Sequence, residues 1–190
     1  LPPGKIFDLK LGVEPLVEGG PIAPGHWALL CSFHVFRGIE ASSALASALH
    51  VDETIAEETW HLPVSKTDPM AIGCARTWGC TCLGSMDVPC PYHSAKAIRS
   101  ELLQRFGIGS GSDRSLPPDL PLFPTSDGSW CSRDGCVGTI AEIARLANVN
   151  VYDTMGRCTI GEHVWRISGS RHLASLDVPT PIIMRLARWG

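Results

Sequence analysis

Apolar positions crowd between His26 and Arg37, HWALLCSFHVFR, with Leu29, Leu30, Phe33 and Phe36 spaced to face inward. The pattern predicts a buried helix ending at Gly38, and an Ala-rich second helix from Ile39 to Leu49. After an acidic turn, Asp52 to Glu58, the period changes. Trp60, Leu62 and Val64 alternate with His61, Pro63 and Ser65, which predicts a strand. Lys66-Thr67-Asp68-Pro69 follows as a turn, so a β-hairpin with Lys66 near its tip is expected. Helical spacing returns after Ser94, read as a cap, with Ala95, Ile98, Leu102 and Phe106 inward and Gly107 at the end. It returns again from Thr139 to Asn148, with Ile140, Ile143, Ala144 and Ala147 on one side.

The stretch from Gly161 to Gly190 predicts two helices broken at Asp177-Val178-Pro179. In the first, Trp165, Gly169, Leu173 and Leu176 define a buried face, and His163, Arg166 and Ser170 a face turned away from it. Thr180 caps the second, with Pro181 at its first helical position, and Ile182, Ile183, Leu186 and Ala187 lead into a core. Two stretches lack a period: the Gly- and Pro-rich opening and a loop from Ile108 to Pro124. The expected organisation is a tail or linker over 1–22 and one α+β, mostly helical domain over 23–190.

The chain has 190 residues, 44% hydrophobic and 18% charged, enough for one globular domain with a sizeable core. No apolar run is long enough to span a membrane, and no signal peptide opens the chain. An intracellular protein is expected, in nucleus or cytoplasm depending on the host. The chain begins at Leu1 rather than Met and stops at Gly190 beside a basic aromatic cluster, so a piece of a longer protein is expected. The net charge of −3 does not advertise nucleic-acid binding. Its distribution changes that picture: four Lys/Arg face nine Asp/Glu from Leu1 to Asp68, whereas four Arg face one Asp from His163 onward.

Candidate chemistry comes in three groups. Cys74, Cys80, Cys82, Cys90 and His93 lie within 73–93, a Cys-rich insertion after the hairpin. Thiolate and imidazole are the ligands Zn²⁺ prefers, four at a time, so four of these five are expected to hold a structural zinc with no open position for chemistry. Free thiols in a loop are the plain alternative. Cys131 and Cys136, flanking a turn, form a further candidate thiol pair. Second, His163 and Arg166 are three apart on one helix, so imidazole and guanidinium project side by side. With the indole of Trp189 they suit a phosphate oxyanion. Third, Arg37 and Glu40 sit at a helix junction, where they form either a salt bridge or a ligand-facing Arg with its orienting carboxylate.

Taken in order, R-x-x-E (Arg37, Glu40), a hairpin Lys (Lys66), H-x-x-R (His163, Arg166) and Trp189, 26 positions after His163, resemble the catalytic domain of the tyrosine recombinases, the phage-integrase family. The resemblance spans roughly Ala23 to Gly190, and the Cys-rich insertion departs from it. It implies an integrase-like fold and a partner, double-stranded DNA, on which the protein assembles as a tetramer. It also implies strand cleavage and rejoining through a 3′-phosphotyrosyl link, without ATP or a catalytic metal. Arg37 and Arg166 would hold the phosphate, His163 would act as general acid–base, and Lys66 would protonate the leaving oxygen. Trp189 would donate to the phosphate, and Glu40 would stand behind them. The family's nucleophilic Tyr lies beyond the Trp position. Tyr92 and Tyr152 both precede H-x-x-R, so neither fits and the Tyr is expected outside these residues. Three rivals stand beside this reading: a non-catalytic DNA-binding domain derived from a recombinase, a zinc-stabilised interaction module, and a type IB topoisomerase, which uses similar groups.

Overall fold

The computed structural model describes residues 1–62, 74–82, 85, 87–157, 159–161 and 163–188, with backbone alone at Ile39 and Ser112. Among the described residues it contains seven α-helices and one three-stranded antiparallel sheet, the mostly helical α+β mixture expected. No described helix is long and apolar enough to cross a membrane.

The hub is α2 (Pro24–Phe33), buried without a break from Trp27 to Phe33. A helix apolar on every side must be enclosed by other elements. Here α1 (Pro3–Asp8), α4 (Pro91–Phe106) and α6 (Val164–Ser175) enclose it. Trp27 meets Trp165 of α6 edge to face at 5.2 Å. The stretch 1–22, expected as a tail or linker, packs against this core at several points. Ile6 and Ile22 are buried in it, and the Leu1 ammonium donates to Ser168 Oγ at 2.9 Å. The Gly/Pro composition hid a six-residue helix whose two buried residues, Pro3 and Ile6, are too short a signal for periodicity.

The Ala-rich helix expected over Ile39–Leu49 is cut short. It forms only α3 (Gly38–Ser42), followed by a 3₁₀ turn at Ala46–Ala48 and strand β1 (Leu49–Asp52). The backbone at Ala44 and Ala46 bonds to Leu122 and Leu120, both at 2.8 Å, so tertiary pairing overrides the helix propensity of alanine. β2 (Glu57–Leu62) pairs with β1 on one side and with β3 (Cys74–Gly79) on the other, Trp60 opposite Arg76 and Leu62 opposite Cys74. Part of what was expected as a Cys-rich insertion is thus a strand of the sheet. Lys66 lies between β2 and β3, outside the described residues.

Helix starts are the other differences. Cys90, not Ser94, caps α4, with Pro91 at its first position. α5 (Arg133–Leu146) begins before Thr139, where the Ser132 hydroxyl accepts the Gly135 N–H at 2.9 Å; its polar first turn carries no apolar period. Cys131 and Cys136 meet at this start: a hydrogen bond to Cys136, with burial, pushes the Cys131 thiol pKa up. α6 buries Trp165 and Leu173 as expected but ends at Ser175, leaving Leu176 57% exposed. α7 (Thr180–Ala187) buries Ile183 and Ala187 while Ile182 faces solvent.

Two features fix the turn between α2 and α3. Val35, at φ 55°, is fully buried with Leu173, Ile183 and Ala187 in a second core that clasps α6 and α7 to this turn. A β-branched residue in the left-handed region costs about 1–2 kcal/mol, which the burial offsets. Next to it His34 Nε2 meets Glu58 Oε1 of β2 at 2.7 Å, both side chains wholly buried, with His34 stacked on Phe36 at 5.1 Å. This pair pins the sheet to the end of α2. Removing one member strands the other without solvent, so Glu58→Ala is expected to destabilise the fold by about 3–5 kcal/mol in urea unfolding. Glu58→Gln, which keeps a hydrogen-bond acceptor, should lose less.

Candidate active site: an arginine cluster

The α2–α3 turn delivers Arg37. Its backbone N–H donates to Glu40 Oε2 at 3.0 Å, so the carboxylate caps the start of α3 and is drawn inward, 2% exposed. α6 delivers Arg166, 6% exposed rather than turned to solvent. The reason lies in the helix geometry. Arg166 is three positions before Gly169 and seven before Leu173, both buried, and so shares their stripe. α6 is seated by that stripe on α2 and on the second core.

Two further arginines reach the same place. Arg76 of β3 is 6% exposed, donates through Nη1 to the His34 carbonyl and lies 5.4 Å above the Phe36 ring, a cation–π contact. Arg188 ends α7 in the left-handed conformation at φ 50° and donates through Nη2 to Cys74 Sγ. The four guanidiniums feel one another. Burial, then the charge of Arg37, push the Arg166 pKa down to about 10; Glu40 opposes this, and Arg76 and Arg188 add to it. Burial likewise lowers the pKa of Arg76, against support from Cys74 and Glu40 and with Arg188 adding to the fall.

This environment disfavours positive charge, yet it contains four cations. Burial beside the other guanidiniums weakens the preference of Arg166 for its charged form. Among the described residues, Arg37 Nη1, Arg76 Nη2 and Arg188 Nη1 are buried and meet no hydrogen-bond acceptor. Each such N–H costs on the order of 1–3 kcal/mol. An oxyanion with several acceptor oxygens relieves both costs at once. Inorganic phosphate or vanadate is therefore expected to raise the melting temperature, by about 2.7 kcal/mol of stability at a hundredfold excess over Kd. Arg37→Ala should lose most of that increment in the same thermal-shift titration.

Of the residues singled out by sequence, Arg37, Glu40 and Arg166 come together. His163 is exposed at the N-cap of α6, three positions before Arg166, and borders a groove with Leu1, Val151 and Arg171. Lys66 and Trp189 lie outside the described residues. Of the five candidate metal ligands, four of which were expected to bind, Cys80, Cys82, Cys90 and His93 gather, and Cys74 is the fifth, carried by β3 to Arg188. Sequence reasoning passed over Arg76 and left Arg188 as a chain-end cation. The signal for Arg76 was available: in Cys74-Ala75-Arg76-Thr77-Trp78 it occupies the inward register of an alternating strand. An apolar cavity of about 430 Å³ lies by α3 between Trp27, Phe123, Ile140 and Trp165, but the arginines do not line it.

XerH site-specific recombinase bound to difH substrate, in a pre-cleavage complex, superposes with a TM-score of 0.63 over 99% of this chain and 46% of that one, at 13% identity. The fold is that of a site-specific recombinase. The XerH post-cleavage complex with palindromic difH substrate agrees, at TM-score 0.62, 13% identity and 99% of this chain against 44% of that one. The recombinase fold thus extends across the whole chain, including the opening residues, while the chain spans less than half the length of either XerH chain. No protein-family model and no curated protein matches it.

Proposed function

We propose that this chain binds double-stranded DNA and that its arginine cluster holds one backbone phosphate during strand cleavage and rejoining in site-specific recombination. The observation that carries the reading is the convergence of Arg37 and Arg166, from elements far apart in sequence, on a buried site inside a recombinase fold. Attack on a phosphodiester develops negative charge on the non-bridging oxygens of a pentacoordinate phosphorus. Arg37 and Arg166 donate to those oxygens from positions set before the substrate arrives, which favours the transition state over water. Arg76 and Arg188 enlarge the positive field, and Glu40, capping the turn that carries Arg37, offsets part of the repulsion among them.

In this scheme a tyrosine hydroxyl attacks phosphorus, a 3′-phosphotyrosyl bond forms and the 5′ oxygen leaves as a hydroxyl. The reverse attack by another 5′-hydroxyl restores the strand, so bond energy is kept without ATP or a metal. Lys66 protonates the leaving oxygen, His163 serves the attacking hydroxyl and Trp189 closes the site. Neither Tyr92, packed beside Cys82 and Cys90, nor Tyr152, in a groove with Val17 and Ala141, stands at the cluster. The nucleophile is therefore neither of these two.

The exposure of His163 favours a second reading, a DNA-binding domain that keeps the phosphate clamp without cleaving. One experiment separates the two. The whole gene product is incubated with nicked suicide duplexes and the products are resolved under denaturing conditions. A covalent protein–DNA adduct supports the enzyme; salt-sensitive duplex binding without an adduct supports the binding domain. Absence of any duplex binding at low salt sinks both.

A further inference from the structure

Outside the arginine cluster one other group of side chains points to a ligand. We infer that Cys80, Cys82, Cys90 and His93 form a structural zinc site that staples the end of β3 to the start of α4. The ligand atoms lie within 4.8 Å of one another. A tetrahedral Zn²⁺ with Zn–S of about 2.3 Å and Zn–N of about 2.0 Å requires S···S edges of about 3.8 Å and S···N edges of about 3.6 Å. The observed edges are Cys80–Cys82 at 3.2 Å, Cys80–Cys90 at 3.8 Å, Cys82–His93 Nδ1 at 3.4 Å and Cys80–His93 Nδ1 at 3.9 Å. Four soft donors at these separations surround a point with room for one metal ion.

The surroundings fit a structural rather than a catalytic metal. Four protein donors complete a tetrahedron and leave no position for water or substrate. Cys82 and Cys90 are 3% and 4% exposed and, with Tyr92, form a small core of their own, apart from the main one. The Thr81 N–H points at Cys90 Sγ at 3.4 Å, the kind of donor that steadies a metal-bound thiolate. The ligands come from two elements, α4 and the end of β3: Cys80 follows β3 directly, while Cys90 caps α4 and His93 lies in its first turn. Nearby, Cys80 N–H bonds to the Ala56 carbonyl at 2.9 Å and Lys96 pairs with exposed Glu53 at 2.6 Å. A metal here joins the sheet to α4 where hydrogen bonds and a solvated ion pair are weak. It also fixes the strand that carries Arg76, although the site stands or falls without reference to DNA.

The test is metal content and cobalt spectroscopy on the purified chain. Expected are one zinc per chain by elemental analysis and, after exchange, thiolate-to-cobalt charge-transfer bands with tetrahedral d–d bands. Cys82→Ser and Cys90→Ser should lose the metal, and Cys74→Ser should keep it. His93→Cys should keep it with a four-thiolate cobalt spectrum, a gain that mere misfolding does not produce. A strong chelator should lower the melting temperature of the wild type by several degrees. The inference is overturned if the wild type carries neither zinc nor tetrahedral cobalt bands, if Cys90→Ser retains a full equivalent, or if Cys74→Ser loses it.

Discussion

Arg166→Ala is expected to abolish covalent adduct formation on a suicide duplex while the protein stays folded. The guanidinium meets the charge that grows on the phosphate in the transition state, and loss of one such donor costs on the order of 10²–10³ in rate. Arg166 is also the cluster member whose pKa is pushed down to about 10, so the folded state holds its charge at a disadvantage. The sign follows. A base whose folded pKa lies below its unfolded value lowers stability at every pH where the unfolded chain is protonated, and neutral pH lies well inside that range. Truncation removes that penalty together with the donor, and Arg37 and Arg76 remain to answer Glu40. The measured pair should be an adduct rate reduced at least a hundredfold and a melting temperature changed by no more than a few degrees. Arg166→Lys should rescue little, since an ammonium keeps the charge but not the planar fork. Adduct formation at the wild-type rate in Arg166→Ala would remove the phosphate clamp from the account.

The second large effect is on the fold itself. Gly169 of α6 lies against α2 so closely that a Cβ there would stand 1.9 Å from the Ser32 carbonyl oxygen and 2.8 Å from its carbon. Both atoms are backbone, so no rotamer change relieves the clash and the two helices must separate. Overpacking a core costs about 1–3 kcal/mol when side chains can adjust. With backbone on both sides Gly169→Ala is expected at or above the top of that range, as a fall of the urea midpoint. The functional consequence is specific. α2 leads into the turn that carries Arg37 and α6 carries Arg166, so this contact sets the spacing of the two arginines. Phosphate-induced stabilisation should be lost in Gly169→Ala even where enough fold survives to measure it. A variant with unchanged stability and an unchanged phosphate response would show that the helices do not approach as described.

Local patterning carried much of the architecture. The buried run around Leu29 and Leu30, the alternation at Trp60 and Leu62, and the helices around Ile98, Ile143 and Trp165 each reappear, because burying apolar residues at a fixed period imposes the element. Where the signal failed, something non-local had prevailed. Ala44 and Ala46 gave up their helix to bond with Leu122 and Leu120. Ile6 brought a Gly/Pro-rich opening into the core. Grouping Arg166 with His163 and Ser170 puts it on the outer face, whereas its spacing from Gly169 and Leu173 places it on the inner stripe.

The amino-acid order by itself determined the helix and strand periods, the concentration of arginine near the end, the thiol-rich stretch, and the ordered set of residues that resembles the recombinases. Only the tertiary structure decided which of those residues meet. It joined Arg37, Glu40 and Arg166, added Arg76 and Arg188, moved Cys74 from the thiols to the arginines, and left His163 exposed at the start of α6. The physical reason is that a period reports which face of an element is buried, whereas the partner of that face depends on long-range packing. Here that packing is the Gly169–Ser32 contact, the His34–Glu58 pair and the core around Val35.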